Sequence, residues 1–563
     1  MEMRLRDVGT QYSPLTGMAG RFVLEDQAQA FHPGPLGWFA MWPPYRLLGS
    51  SSWALLFAQV LLGFIALVIV FWIVARRADP TRLVIAGVVV VLTARAYGIV
   101  ILSEVWNTHL PLLWWLVCVF ATWAVVIGDR PLIVVAIGAG SLGAQSYAGY
   151  LIPFCALLVL AFAALFVDIL RYPSRRWRSV AWLSVGVAAV AAFWAPAIYE
   201  ELTNDPGNLS LLWEFATAGL EEPIGWAEGL DVVLLHLDPW RLVGGELWGD
   251  RQSGVGVFPT GSATPGLVLL IVWATSFVAS WRIGDRNLRR FHVVVAVTLL
   301  AAIGSASRIV APVWYWTVLY LWVTQAVILV AVSWTIAAAC ARAGARRRHV
   351  VRAGLLAVTM LVAVVWVGET LVGPRLADHP QSQVLAGLVP RAVDSLRSGT
   401  VPGGGVEGRY LVRWSEPAAI GTGFGFLDEL ERAGFEVIAD ELHVAQVWPH
   451  RVGRPDDPPV TAIVELVGGA AIARRLALPG AVQVAYTDLR TDDERTRFNA
   501  LRSELINRVA PDLDLLRAID DNFVAIMFRT DLDPEVIALA IEMVDIGVPM
   551  AVVVRPPEAP QPG

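Results

Sequence analysis

Long apolar runs separated by short arginine-bearing turns dominate the first two thirds of the chain. Ten runs are long enough to cross a hydrocarbon core of roughly 30 Å at about 20 residues each. They lie near 53–75, 83–103, 110–127, 131–148, 151–170, 179–199, 264–281, 291–310, 313–340 and 353–371. Arginines concentrate in the connections 76–82, 128–130, 171–178, 282–290 and 342–352, which all fall on one side if the spans alternate. Retention of positive charge predicts these as the cytoplasmic turns. The segments 1–52, 104–109, 148–151, 200–263, 311–312 and everything after 371 are then outside. A polar segment that precedes every span and still lies outside predicts one further membrane helix ahead of Met1.

Past Leu371 the period changes. VPGGGVEG (401–408) is a loop by its glycines, while 410–414, 435–440 and 461–467 carry the β-branched and aromatic content of strands. The stretches 424–434 and 493–509 have helical spacing, the first closed by Gly434. The expected fold is an α-helical polytopic membrane protein of about ten transmembrane helices with a C-terminal extracytoplasmic α/β domain. Its expected parts are an outer first loop with a juxtamembrane helix (1–52), a transmembrane domain (53–371) with a large outer loop (200–263), the α/β domain (372–555) and a disordered tail (556–563).

Composition narrows the chemistry. Hydrophobic residues make up 56% of the 563 and charged residues 16%, as in integral membrane proteins. The net charge of −6 argues against a nucleic-acid partner, which needs concentrated basic surface. All 43 basic residues are arginine, which points to a GC-rich bacterial genome and excludes Schiff-base lysine and phosphate-loop chemistry. Cys118, Cys155 and Cys340 all lie in apolar runs and read as small core hydrophobes. No cleavable signal peptide is present, because the first apolar run starts near Trp53. The α/β domain has no G-x-S-x-G, no H-E-x-x-H and no His/Cys cluster. No cofactor is implied and no acidic cluster reads as a metal site, although a single outer carboxylate remains able to bind a divalent ion.

The outer segments hold the remaining candidates. Glu2, Arg4, Arg6 and Asp7 open the chain, and FHPGPLGWFAMWPPYRLLG (31–49) follows, with a turn at Pro33–Pro35 and a short helix over 36–42 ended by Pro43-Pro44. Its aromatic content suits the headgroup layer. SEVWNTHLP (103–111) sets Glu104, Asn107 and His109 at a span boundary, where helix capping accounts for them as well as ligand binding does. Arg95 falls mid-span, a costly place that calls for a cavity or a counter-ion unless the helix is shifted and the side chain snorkels. Packing accounts for Gln145, Tyr147 and Tyr150. Glu200 and Glu201 stand where a helix leaves the membrane, and Asn208-Leu209-Ser210 is a glycosylation sequon without meaning in a bacterium. Arg308 and Trp314-Tyr315-Trp316 form a cationic and aromatic rim.

Together HPGPLGWFAMWPPYRLLG (32–49), SEVWNTHLP (103–111) and WAPAIYEELTNDPGNLS (194–210) resemble the GT-C superfamily of membrane glycosyltransferases, of the protein-mannosyltransferase-like family 39 kind. Like motifs at like spacing occur in an actinobacterial subgroup. The resemblance covers roughly residues 1–371, and the C-terminal domain is similar to the extracytoplasmic domain of those proteins. It implies a transferase that takes a sugar from a polyprenyl-phosphate donor to a glycan or protein acceptor by inverting displacement, among membrane lipids at the outer face of a bacterial cytoplasmic membrane. An acidic residue of the first outer loop is the general base in that superfamily. Here the resemblance implies Asp7 first and Glu2 second. Arg4, Arg6, Arg95 and Arg308 would hold the lipid phosphate, and His32, Asn107 and His109 would line the pocket, with Trp38 and Trp42 facing lipid. The superfamily's acids follow directly on its first helix, which this chain lacks; Arg6-Asp7 then reads alternatively as an ion pair fixing the loop. A second reading is a non-catalytic relative that binds lipid-linked glycans or assists envelope assembly. A transporter fits less well, since no internal repeat is visible.

Overall fold

The computed structural model describes all residues except 25–27, 220, 245–260, 311–312, 343–344, 373–378, 415–419, 455–456 and 558–563; between 510 and 531 it describes only 512, 515, 516, 519, 524–527 and 529. The chain divides into two units, one before and one after residues 373–378.

The first unit opens with α1 (Glu2–Asp7), a two-stranded hairpin β1 (Ala19–Val23) and β2 (Gln29–Phe31), and α2 (Leu36–Leu47). Long helices follow: α3 (Ser52–Arg77), α4 (Pro80–Ser103), α5 (Leu112–Val126), α6 (Leu132–Ser146), α7 (Leu151–Arg171) and α8 (Arg176–Thr203). Three short helices, α9 (Asn208–Thr217), α10 (Gly225–His236) and α11 (Pro239–Gly244), precede α12 (Thr264–Ile283), α13 (Arg286–Ala306), α14 (Tyr320–Arg342) and α15 (Ala345–Val372). The expected outer loop 200–263 is therefore largely helical where it is described, because Trp213, Trp226 and Trp240 give its short helices an apolar face.

Among the described residues seven helices are long and apolar enough to cross a membrane: α3, α4, α7, α8, α12, α13 and α14. Three of the ten expected spans are apolar helices that fall short of that length. α5 and α6 have 15 residues each, about 22 Å of helix, and among the described residues the apolar stretch of α15 covers Leu356–Glu369. An apolar run does not reveal whether lipid or protein surrounds it. α5 is buried along almost its whole length, so its sides meet other helices and need not match the bilayer thickness. Its Trp123 lies in the middle of the core, 5.5 Å from Phe291 of α13 and 5.4 Å from Trp334 of α14, which pack 4.8 Å from each other. Both indoles reach backbone carbonyls, Trp123 donating to Asn287 (3.0 Å) and Trp334 to Arg82 (2.9 Å), so burying them leaves no orphan N–H.

The arginine turns converge on one end of this unit. Arg77 Nε donates to Asp129 (2.9 Å), Arg130 to Asp168 (2.8 Å), and Arg82 pairs with Asp285. These contacts tie four connections together. Exposed tryptophans mark both ends: Trp72, Trp177 and Trp281 near the arginines, and Trp53, Trp213, Trp226 and Trp240 at the opposite end. Arg76 stacks over Trp72 at 4.7 Å and Arg289 over Trp281 at 4.5 Å. Such paired girdles belong to the two interfaces of a bilayer.

The second unit holds α16 (Pro380–Arg397), β3 (Arg409–Trp414), α17 (Ile420–Arg432), β4 (Glu436–Ala439), α18 (Val444–Val447), β5 (Ala462–Gly468), α19 (Ala471–Leu476), β6 (Val482–Thr487), α20 (Asp492–Val509), two further short helices and β7 (Met550–Arg555). Its sheet runs β4-β3-β5-β7-β6, parallel across the first three strands and antiparallel through the last two. The last strand in sequence lies between β5 and β6 with all six residues buried, and Arg555 pairs there with Glu465 on β5 at 3.3 Å. The expected tail lies, beyond Pro557, outside the described residues.

Candidate functional site

Ionisable side chains are buried at the end of the first unit opposite the arginine turns. α1 is a single helical turn whose residues Glu2, Met3, Arg4, Leu5 and Asp7 are all enclosed. Glu2 accepts from the Tyr45 hydroxyl at 2.8 Å and lies 3.5 Å from Ser52 Oγ, which fastens α1 to α2 and to the start of α3. Asp7 faces Arg4 at 3.8 Å, both side chains being nearly inaccessible. The two expected acids are thus neutralised or hydrogen-bonded within the first fifty residues.

The proline-rich segment is held by α6. Gln145 receives the Leu36 N–H on its side-chain oxygen (3.2 Å) and donates from Nε2 to the Phe193 carbonyl (2.8 Å), while its own carbonyl accepts from Gly34 (3.3 Å). A Cβ at Gly34 would overlap the Gln145 amide, so the turn needs glycine there. α2 does not stop at Pro43-Pro44 as expected but runs through both to Leu47. Each proline removes the N–H that would bond one turn back and crowds the carbonyl there, although its fixed φ suits a helix. The anchoring at both ends carries the chain across the gap: Tyr45 is buried on Glu2, and Trp38 is buried with its indole on the Thr16 carbonyl (3.2 Å). Trp38 therefore faces protein, not lipid as expected; Trp42 is half-buried.

His32 is enclosed between Phe22 and Tyr147, with ring centroids 5.4 and 5.1 Å away. Its Nδ1 accepts the Ala148 N–H at 3.2 Å, which fixes the neutral form, and burial lowers its pKa from 6.5 to about 3. Asn107 donates to the Ser146 carbonyl (3.1 Å). A small cleft lined by Met1, Gly17, Gly34, Trp38, Asn107 and Ser146 joins α1, the proline turn and the start of α5. His109 is buried 3.4 Å from Glu104, whose side chain is 48% exposed. Its ring packs on Trp106, which meets Trp316 at 5.4 Å, and Trp316 stacks on Trp314. The 103–111 stretch and the expected aromatic rim are one surface.

Arg95 and Arg308 are engaged elsewhere. Arg308 donates to the Ala216 carbonyl (3.2 Å) and is exposed. Arg95 is not at mid-span: α4 breaks at Gly98, whose φ of 75° only glycine adopts without strain. The straight part of α4 from Pro80 to Arg95 is about 22 Å long, which puts the guanidinium beyond the middle of a bilayer core of roughly 30 Å. Its Nε and Nη2 form a fork on Glu369 at 2.8 and 2.7 Å, and Nη1 donates to the Val243 carbonyl at 2.8 Å.

No protein-family model matches this chain, and no curated protein does. Solved structures resemble it, two of the ArnT protein among them. One is the crystal structure of ArnT from Cupriavidus metallidurans bound to undecaprenyl phosphate: 12% identity, a TM-score of 0.46, and 84% of this chain matched to 93% of that one. The other is the same protein in the apo state, at 13% identity, a TM-score of 0.48 and coverage of 86% and 91%.

Three residues that sequence reasoning passed over organise this end. Glu369, a lone carboxylate in an apolar helix, is the counter-ion Arg95 calls for, and its isolation was the signal. Gln145 is the bracket of the proline turn. Asn208, part of the discounted sequon, clamps the backbone of Phe31: its Oδ1 accepts that N–H (2.7 Å) and its Nδ2 donates to that carbonyl (3.1 Å). Glu200 and Glu201 in turn cap the start of α9, accepting from the N–H groups of Asn208 (2.9 Å) and Leu209 (2.7 Å). Among the described residues no group of three His, Cys, Asp or Glu side chains is placed to hold a metal ion.

Proposed function

We propose that this protein is a membrane glycosyltransferase that moves a sugar from a polyprenyl-phosphate donor to an extracytoplasmic acceptor. The observation that supports it is the burial of Glu2, Arg4, Asp7, His32, Asn107 and His109 at one end of a membrane unit. Burying such groups costs free energy and concentrates at functional sites. In this scheme Asp7, or Glu2 in its place, takes the proton of the acceptor hydroxyl. The new bond forms at the anomeric carbon as the bond to phosphate breaks, and the polyprenyl phosphate leaves. Of the four arginines named for that phosphate, Arg4 and Arg6 stand on the helix of Asp7, Arg308 rests on the Ala216 carbonyl and Arg95 offers a fork now held by Glu369, while His32, Asn107 and His109 shape the acceptor side. The arginine turns face the cytoplasm, and the C-terminal unit lies outside.

A second reading, a non-catalytic protein that binds lipid-linked glycans, is favoured by one observation. Glu2 is occupied by Tyr45, and Asp7 is faced by Arg4. The test is transfer of labelled sugar from polyprenyl-phosphate donors in proteoliposomes. D7N and E2Q should keep wild-type folding and membrane levels and lose transfer. Full activity in both would sink the base assignment. A wild-type protein that binds the lipid phosphate but transfers nothing would establish the second reading. Reporter fusions that place residue 555 in the cytoplasm would overturn the orientation.

A further inference from the structure

We infer that Glu369 is a built-in competitor for the phosphate site at Arg95: it occupies the guanidinium fork in the resting protein and yields it to a lipid phosphomonoester. This rests on the reading of the chain as a polyprenyl-phosphate binder and adds how the site is kept filled when empty of lipid.

The two partners differ in how firmly they are held. Arg95 has a side chain only 17% exposed and is tied a second time, by Nη1, to the Val243 carbonyl on α11. Glu369 stands in the last turn of α15, with a side chain 47% exposed. The arginine is the fixed member and the carboxylate the releasable one. A carboxylate presents two oxygens to Nε and Nη2 with the spacing of two phosphate oxygens, so the fork that grips Glu369 fits a phosphate without rearrangement. A phosphomonoester carries up to one more negative charge than the carboxylate and gains from the same guanidinium accordingly. One proton on Nη1 and one on Nη2 remain for further oxygens.

The setting suits a lipid headgroup more than a free ion. Arg95 lies about 22 Å along α4 from its first residue, beyond the middle of a hydrocarbon layer of roughly 30 Å. Ile99, Val243, Val367 and Leu371 around it are exposed and apolar, a surface against which a polyprenyl chain can lie. Trp240 on α11, also exposed, marks the interface depth. An unfilled arginine there would be expensive, and a resident carboxylate removes that cost.

The experiment is binding of polyprenyl phosphate, without any sugar, to the full-length protein in nanodiscs, read by native mass spectrometry against thermal stability as the folding control. E369Q keeps the side chain's shape and removes the competing charge. An exposed pair is worth up to about 1 kcal/mol, so E369Q should bind about 2- to 5-fold tighter. R95Q should lose binding at least tenfold, and E369Q should give no gain on the R95Q background. Unchanged or weaker binding by a folded E369Q overturns the inference, as does wild-type affinity in R95Q. Inorganic phosphate and phosphatidylglycerol are the parallel probes; an equal gain with either overturns the lipid-monoester assignment. Sugar transfer is not read, so loss of transfer with an intact E369Q effect would remove the proposed function alone.

Discussion

Asn208 offers the sharpest test of how the first segment is held. Its amide satisfies both backbone polar groups of Phe31, which lies 177 residues away in sequence. The side chain is buried, and Phe31 is half-buried, so water replaces the clamp only in part. N208A removes two hydrogen bonds from the Phe31 backbone at about 1–1.5 kcal/mol each, or about 2–3 kcal/mol in all. That is a roughly 30- to 150-fold larger population of the opened hairpin, if opening of β1–β2 is the local event that breaks the clamp. Hydrogen exchange read by mass spectrometry on peptides spanning 29–33 and 205–217 measures it directly. Exchange should accelerate by that factor in N208A while the peptide spanning α5 is unchanged. N208D should fall in between for the Phe31 amide: a carboxylate still accepts that N–H but faces the Phe31 carbonyl with a second acceptor. Protection in N208A within twofold of wild type would refute the clamp. The same geometry predicts that Asn208 stays unmodified in a glycosylating host, since both amide atoms are engaged in the fold.

Two further outcomes follow from the same end of the molecule. His32 has its pKa lowered to about 3 in the fold against 6.5 free, so below pH 6.5 the unfolded chain takes up a proton that the folded one refuses. Its contribution is complete above pH 6.5 and drains away at about 1.4 kcal/mol per pH unit as pH falls towards 3; detergent-phase melting of wild type and H32N, which keeps an acceptor for the Ala148 N–H, should diverge over that window, and parallel profiles would count against it. G34A should displace the Gln145 amide and cost about 1–3 kcal/mol, lowering the melting temperature and exposing the 33–36 backbone to protease; a melting temperature equal to wild type would mean the turn can shift at no cost.

The membrane helices were legible because their signal is local. Apolar runs of sufficient length and arginine-bearing turns are properties of consecutive residues, and the arginine turns do converge on one end through Arg77–Asp129, Arg82–Asp285 and Arg130–Asp168. The strands β3, β4 and β5 and the helices α17 and α20 were equally visible from period and glycine placement. β6 and β7 were not. β7 is buried on both faces, so MAVVVR lacks the alternation that marks a strand with one wet face.

What tertiary structure alone decided is who surrounds and partners each residue. α5 reads as one more membrane helix, and only its neighbours show that protein rather than lipid surrounds it. α2 continues through two prolines because Tyr45 beyond them is buried on Glu2. Arg95 called for a counter-ion from its sequence context, but only the fold supplied Glu369, 274 residues on, and only the fold showed that the helix breaks at Gly98, three residues past the arginine. The physical reason is the same throughout. Sequence fixes how much apolar surface a segment must hide, whereas the partner of a buried polar group is set by where distant segments meet.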